Sequence, residues 1–334
     1  MAKTGRDVIA AVIYIFFCSY LFYPHFETFD RVKYLIPLNC VAGALGGYIL
    51  SKRWVAGFGG RFFAGAVYGF GPFMLFLAKF HPTAGSFAAI VPWLFFPAVF
   101  GPKGKLHWIT VPLAVLPFVV IAAFFRLAGE FGLYPVPTQI VLRLDDLLSI
   151  LAPAAMAGQA DVLLGFYHVA IGALVIGLVM LTAARRYGVM AVFVIGVMLS
   201  ILDSFSGVAR IIWLTVPLLC CSVLIGEGIE GIIHCGYSDR RWILASAIVL
   251  LSYAIVALLF GAKGTHVFAG LGSGYTRLFI QAAQIYVAGA IATGVIFFLA
   301  RGKSRLVWLR AAIICSAIAV DIFLGARSIV DGIF

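Results

Sequence analysis

Residues 240–261 read RRWILASAIVLLSYAIVALLFG: two arginines and a tryptophan, then nineteen residues from Ile243 to Gly261 without a charge. An α-helix rises about 1.5 Å per residue, so about twenty apolar residues cross the roughly 30 Å hydrocarbon layer of a bilayer. A helix apolar on every face has no side to turn to water and belongs in a membrane or a deep core. The Arg240-Arg241-Trp242 head decides between these. Lys and Arg gather at the cytosolic ends of membrane helices, and Trp settles at headgroup level. Lys52-Arg53-Trp54 repeats the pattern, and looser versions run from Lys105 to Trp108 and from Arg305 to Arg310.

Composition agrees. With 63% hydrophobic residues, 11% charged residues and a mean hydropathy of +1.10, a 334-residue soluble domain would lack the polar surface to cover itself. The net charge of +11 is dispersed through short loops beside apolar runs, which argues against a nucleic-acid partner and for contacts with anionic lipid headgroups.

The chain is therefore read as an all-α integral membrane protein, a polytopic bundle of about 11 transmembrane helices within a range of 9–11. The apolar segments lie near 8–23, 34–50, 62–78, 84–100, 108–125, 162–183, 187–202, 207–226, 242–261, 279–300 and 306–326. With the N-terminus in the cytosol, 15 of the 24 basic residues fall inside, and nine acidic residues fall in the outer half. That asymmetry predicts a bacterial-type cytoplasmic (inner) membrane protein with its N-terminus in the cytosol and its C-terminus outside. Lys3 and Arg6 before the first run look like a signal-peptide head, but no small-residue cleavage site follows Cys18, so this run is read as a retained anchor. The six cysteines show no CxxC spacing and are read as buried apolar residues.

The longest connection, 127–161, separates possible halves 1–126 and 162–300, leaving 306–326 as an extra helix. Within it, an amphipathic helix near 138–151 is expected on the outer surface, with Ile140, Leu144, Leu147, Leu148 and Leu151 opposite Arg143, Asp145 and Asp146. Five crossings on either side would form an inverted 5+5 repeat plus one, a transporter architecture in which broken helices line the substrate site. Gly69, Gly71 and Pro72 in the third segment and Pro217 in the eighth fit that scheme, although the halves share no clear residue-level identity. Gly43 with Gly47 and Gly65 with Gly69 have the spacing that lets helix backbones approach closely. Gly270, Gly272 and Gly274 follow no strand and are not read as a phosphate loop.

Charges inside a membrane are costly and mark candidate sites. Asp203 and Arg210 flank a turn between segments seven and eight, either neutralising each other or flooring an outward cavity. Asp321 lies inside the last segment and must find a partner on another helix, such as Arg126 or Arg210, or hold a proton. His168 is a lone imidazole within a segment; no second histidine at similar depth supports haem ligation. Glu227, Glu230 and His234 would share one helix face and offer a cytosolic cation or proton site, yet the glycines around them read as a solvated turn. Nucleophile-elbow, HExxH and P-loop signatures are missing, and no cofactor or metal is expected. Three functions fit: a transporter of a small or amphiphilic solute, lined by Tyr68, Gln281, Gln284 and Asp203; a non-catalytic subunit of a larger membrane complex; or an enzyme of lipid-linked phosphates using Arg126, Arg143, Arg210 and Arg277.

Overall fold

The computed structural model of the protein describes residues 2–29, 33–101, 107–130, 144–157, 162–184, 186–202, 208–237, 239–267, 274–300 and 306–334. Among them there is no strand. The helices are α1 (Ala2–Phe22), α2 (Leu35–Ser51), α3 (Phe58–Gly69), α4 (Pro72–Phe80), α5 (Pro82–Leu94), α6 (Phe96–Phe100) and α7 (Thr110–Glu130). They continue with α8 (Leu148–Leu151), α9 (Pro153–Met156), α10 (His168–Ala183), α11 (Tyr187–Ile201), α12 (Arg210–Trp213), α13 (Thr215–His234), α14 (Arg240–Val267), α15 (Gly274–Leu299) and α16 (Val307–Ile333).

Among the described residues, eight stretches are long and apolar enough to cross a bilayer: Gly5–Glu27, Phe58–Phe80, Pro82–Phe100, Thr110–Ala128, Arg210–His234, Arg240–Ala262, Tyr275–Leu299 and Val307–Ile333. The protein is a multi-pass, all-helical chain of membrane type. Three further apolar helices, α2, α10 and α11, are shorter, at 17, 16 and 15 residues. The outward faces carry the signature of lipid contact. On α14, Leu244, Ile248, Leu251, Ile255 and Leu259 are each more than two-fifths exposed, a continuous apolar stripe that water would penalise and hydrocarbon accepts.

The chain divides into two compact units, residues 1–70, 74–142 and 185–223 in one, and 71–73, 143–184 and 224–334 in the other. In the first, α2 and α3 cross at glycines. A Cβ on Gly65 would sit 2.3 Å from the Ala44 carbonyl oxygen, and one on Gly69 2.3 Å from that of Cys40. Only hydrogen fits between these backbones. Tyr14 closes the crossing from α1 by stacking on Phe62 and donating to the Phe62 carbonyl at 2.6 Å. Lys52 reaches Asp7 at 2.7 Å, and Tyr48 donates to the same carboxylate at 2.8 Å.

Two spans are broken by their own sequence. The helix stops at Phe70-Gly71 and restarts at Pro72, as the glycine and proline there predict. The second break falls at Leu214, between α12 and α13. Pro217 has no N–H to give the carbonyl four residues back, that of Trp213, so the helical ladder is interrupted where the proline requires it.

The second unit departs from the sequence reading in two places. The described part of the expected surface helix, from Leu144, is a 3-10 turn followed by the single-turn helices α8 and α9, and the polar residues Asp146 and Ser149 are buried rather than facing water. Residues 138–143 lie outside the described residues. Periodicity could not distinguish the two cases, because a few leucines beside charges read alike whether the polar face meets water or a folded-back chain. The second departure is residues 162–167, which are not helical, so α10 begins only at His168.

The folded-back chain explains both. The Ser149 hydroxyl accepts from the Leu164 amide at 2.7 Å, and the Asp146 carboxylate accepts from the Val162 amide at 3.4 Å. Side chains from the first arm thus satisfy backbone donors of the second, which a membrane interior demands of any non-helical segment. Gly165 permits the approach; a Cβ there would stand 2.6 Å from the Ser149 carbonyl oxygen.

Candidate functional site

α10 starts in the interior with Tyr167 as its N-cap (φ −64°, ψ 156°), and no side chain of its own sequence caps it. A buried helix start leaves unpaired N–H groups and a partial positive charge. Asp321, near the middle of the 27-residue α16, supplies what is missing. One carboxylate oxygen accepts from the Val169 amide at 2.6 Å, and the other lies 2.9 Å from His168 Nδ1. Gly325, one turn further along α16, faces the Tyr167 ring so closely that a Cβ would come within 2.4 Å of it. Asp321 and His168 are 1% and 4% exposed.

Aromatic residues close the site. The Tyr286 ring meets His168 edge-on at 4.8 Å and packs against Tyr253 at 5.4 Å. Its hydroxyl donates to the Leu151 carbonyl at 3.1 Å, a carbonyl left free by the break between α8 and α9. Tyr275 reaches Met156 sulfur at 2.8 Å from the same helix, α15. A carboxylate, an imidazole, a helix N-terminus and a broken helical segment therefore meet within one unit. The imidazole and carboxylate together change charge by one for each proton they take up, which is the minimum apparatus for holding and passing a proton.

Sequence reasoning singled out His168 and Asp321 separately. It offered Arg126 or Arg210 as partners for Asp321; the structure gives that carboxylate two partners from α10, because the non-helical lead-in delivers the start of α10 to the depth of Asp321. Arg126 lies on the exposed face of α7, and Arg210 opens α12 half-buried. Asp203 and Arg143 lie outside the described residues, as do Gly270 and Gly272. Tyr68 is buried and donates to the Ala88 carbonyl at 2.6 Å. Gln281 and Gln284 turn outward on α15, where they line a surface groove with Thr276, Arg277 and Ile280. Asp146, Ser149 and Tyr286 were missed; only the three-residue spacing of Asp146 and Ser149, typical of polar residues that cap turns, hinted at them.

At the other end of this unit α13 runs as helix through Gly226, Gly228 and Gly231 to His234, where the glycines had been read as a turn. Packing overrides propensity here. A Cβ on Gly228 would sit 1.8 Å from the Ala173 carbonyl oxygen, and one on Gly231 2.7 Å from Met180 sulfur, so the glycines seat α13 against α10. Buried Arg310 caps the end by donating to the Cys235 carbonyl at 2.8 Å, a cation at a helix C-terminus. Burial pushes the Cys235 thiol above its ordinary value, Asp239 adds to this and Arg310 opposes it. Glu230 and His234 pair at 3.3 Å, whereas Glu227 is buried. Among the described residues no group of three or more His, Cys, Asp or Glu is placed to hold a metal ion.

No known protein family, curated protein or solved structure matches the chain.

Proposed function

We propose that the protein is a transporter of the bacterial-type cytoplasmic membrane that moves a small or amphiphilic solute and cycles a proton on the His168–Asp321 pair. The observation that carries this reading is the pair itself: two ionisable side chains, buried at a helix start and 2.9 Å apart, beside the broken α8–α9 segment. Ionisable groups inside membrane bundles mark ion and substrate pathways. Discontinuous helices whose N-termini face charged groups are how transporters build such sites. A chain needing only a rigid core would gain as much from apolar residues of similar size.

Eleven crossings, with the N-terminus in the cytosol and the C-terminus outside, belong to this proposal, the three short helices crossing with local thinning. So does the inverted 5+5 arrangement, supported by breaks in both the third and the eighth segments. The competing reading is a non-catalytic subunit of a larger membrane complex. It draws on the filled packing around Tyr167, Tyr286 and Ile322, all buried within the second unit.

The test uses the full chain in liposomes that enclose a pH-sensitive dye, challenged with a panel of organic cations, anions and amphiphiles. A transporter gives solute-driven proton movement, and Asp321→Asn and His168→Gln each lower it at least tenfold while remaining monodisperse in detergent. Silence across the panel, or wild-type flux in Asp321→Asn, overturns the proposal.

A further inference from the structure

The first three turns of α15 present an anomaly for a membrane helix. Its inner face is Tyr275, Phe279, Ala282, Ala283 and Tyr286, all buried. Its outer face carries Arg277, Gln281 and Gln284, spaced four and three apart and so aligned in one stripe. These line a groove of about 380 Å³ together with Thr276 and Ile280. The stripe then turns apolar, through Ile291 and Val295 to Phe298, each at least two-fifths exposed. Among the described residues no hydrogen bond or ion pair takes up the side chain of Arg277, Gln281 or Gln284. Hydrocarbon offers such groups no partner.

We propose that this face binds the headgroup of an anionic phospholipid drawn from the surrounding leaflet. Depth supports the match. The headgroup layer is roughly 5–7 Å thick on each side of the hydrocarbon. Arg277 and Gln281 are four residues apart, about 6 Å along the axis, which matches that layer; Gln284, about 10.5 Å below Arg277, falls at its hydrocarbon edge, within reach of an ester carbonyl. A guanidinium at phosphate level takes phosphate oxygens in a two-pronged grip. An amide one turn deeper meets the glycerol ester carbonyls, and the apolar lower stripe receives an acyl chain. A free phosphate ion would use Arg277 and leave both glutamines unexplained. A second copy of this chain would meet this stripe about a two-fold axis normal to the membrane, which sets Arg277 against itself. The polarity of the stripe falls with depth as that of a lipid does.

The full chain is extracted in nanodiscs of phosphatidylcholine containing phosphatidylglycerol, and bound lipid is measured by native mass spectrometry. Wild type is expected to retain phosphatidylglycerol selectively. Arg277→Ala should weaken retention about tenfold, and Gln281→Leu and Gln284→Leu about threefold each, a tenfold change being about 1.4 kcal/mol. Arg327→Ala, whose arginine already pairs with Asp331 at 2.7 Å, serves as the control and should change nothing. Should Arg277→Ala fail to fold, Arg277→Lys and the glutamine variants carry the test. Unchanged retention in those variants, equal retention of phosphatidylcholine, or displacement of the lipid by millimolar inorganic phosphate overturns the assignment. So does efficient dimer formation through a cysteine placed at position 284.

Discussion

Asp321 answers to two buried donors at once, the Val169 amide and the His168 ring, so its removal strands both. A buried donor left without a partner costs its full desolvation penalty, and Asp321→Ala is expected to destabilise the protein by roughly 2–3 kcal/mol. Asp321→Asn keeps an acceptor for the Val169 amide and should cost less. His168→Ala leaves one carboxylate oxygen unpaired, and the double substitution should cost clearly less than the sum of the two singles. Thermal unfolding of the four proteins in one detergent measures this cycle. Additive losses would show that the two side chains do not interact. Each of these residues stood out in the sequence because charge in hydrocarbon is expensive. Their pairing did not, because 153 residues separate them and the non-helical lead-in that brings them together is held by side-chain bonds without local periodicity.

Helices in a membrane gain little from the hydrophobic effect between themselves, so their contacts rest on close backbone approach. Gly228 and Gly294 test this within the same unit, since a Cβ on Gly228 would strike the Ala173 carbonyl and one on Gly294 would meet nothing within 4 Å. Gly228→Ala should therefore force α13 away from α10 and cost about 1–3 kcal/mol or more. Gly294→Ala should be neutral or raise stability by up to about 1 kcal/mol through helix propensity. Melting temperatures in detergent separate the two, and equal shifts would remove the close-approach argument. At this scale much was legible. Helix occupies part of every apolar segment read from the sequence, the glycine spacings at Gly43, Gly47, Gly65 and Gly69 announced the α2–α3 crossing, and Gly71-Pro72 announced a break. The failures share one cause. At 144–157 with 162–167, and at 226–231, tertiary partners supply what local sequence lacks: Ser149 and Asp146 for the backbone of one, the small-residue face of α10 for the glycines of the other.

For the whole molecule, the three short helices decide how often the chain crosses. α2 and α11, at 17 and 15 residues, span about 25 and 22 Å against a hydrocarbon layer of about 30 Å. Charge argues that they cross nevertheless, because crossings by α2, α10 and α11 put Lys3, Lys52, Arg186 and Arg240 all on one side. If only the eight long stretches cross, Lys3 and Arg186 share one side while Lys52 and Arg240 share the other. The C-terminal region separates the two schemes as well, lying opposite Lys3 with eleven crossings and beside it with eight. Single cysteines at these four positions and at Gly332, in a chain freed of its six native cysteines, can be labelled in intact cells with an impermeant maleimide. The eleven-crossing arrangement predicts labelling at position 332 alone, the other four reacting only after lysis. Labelling of positions 52 and 240 in intact cells would instead leave α2, α10 and α11 as helices that enter without crossing, and would remove the inverted 5+5 arrangement with them.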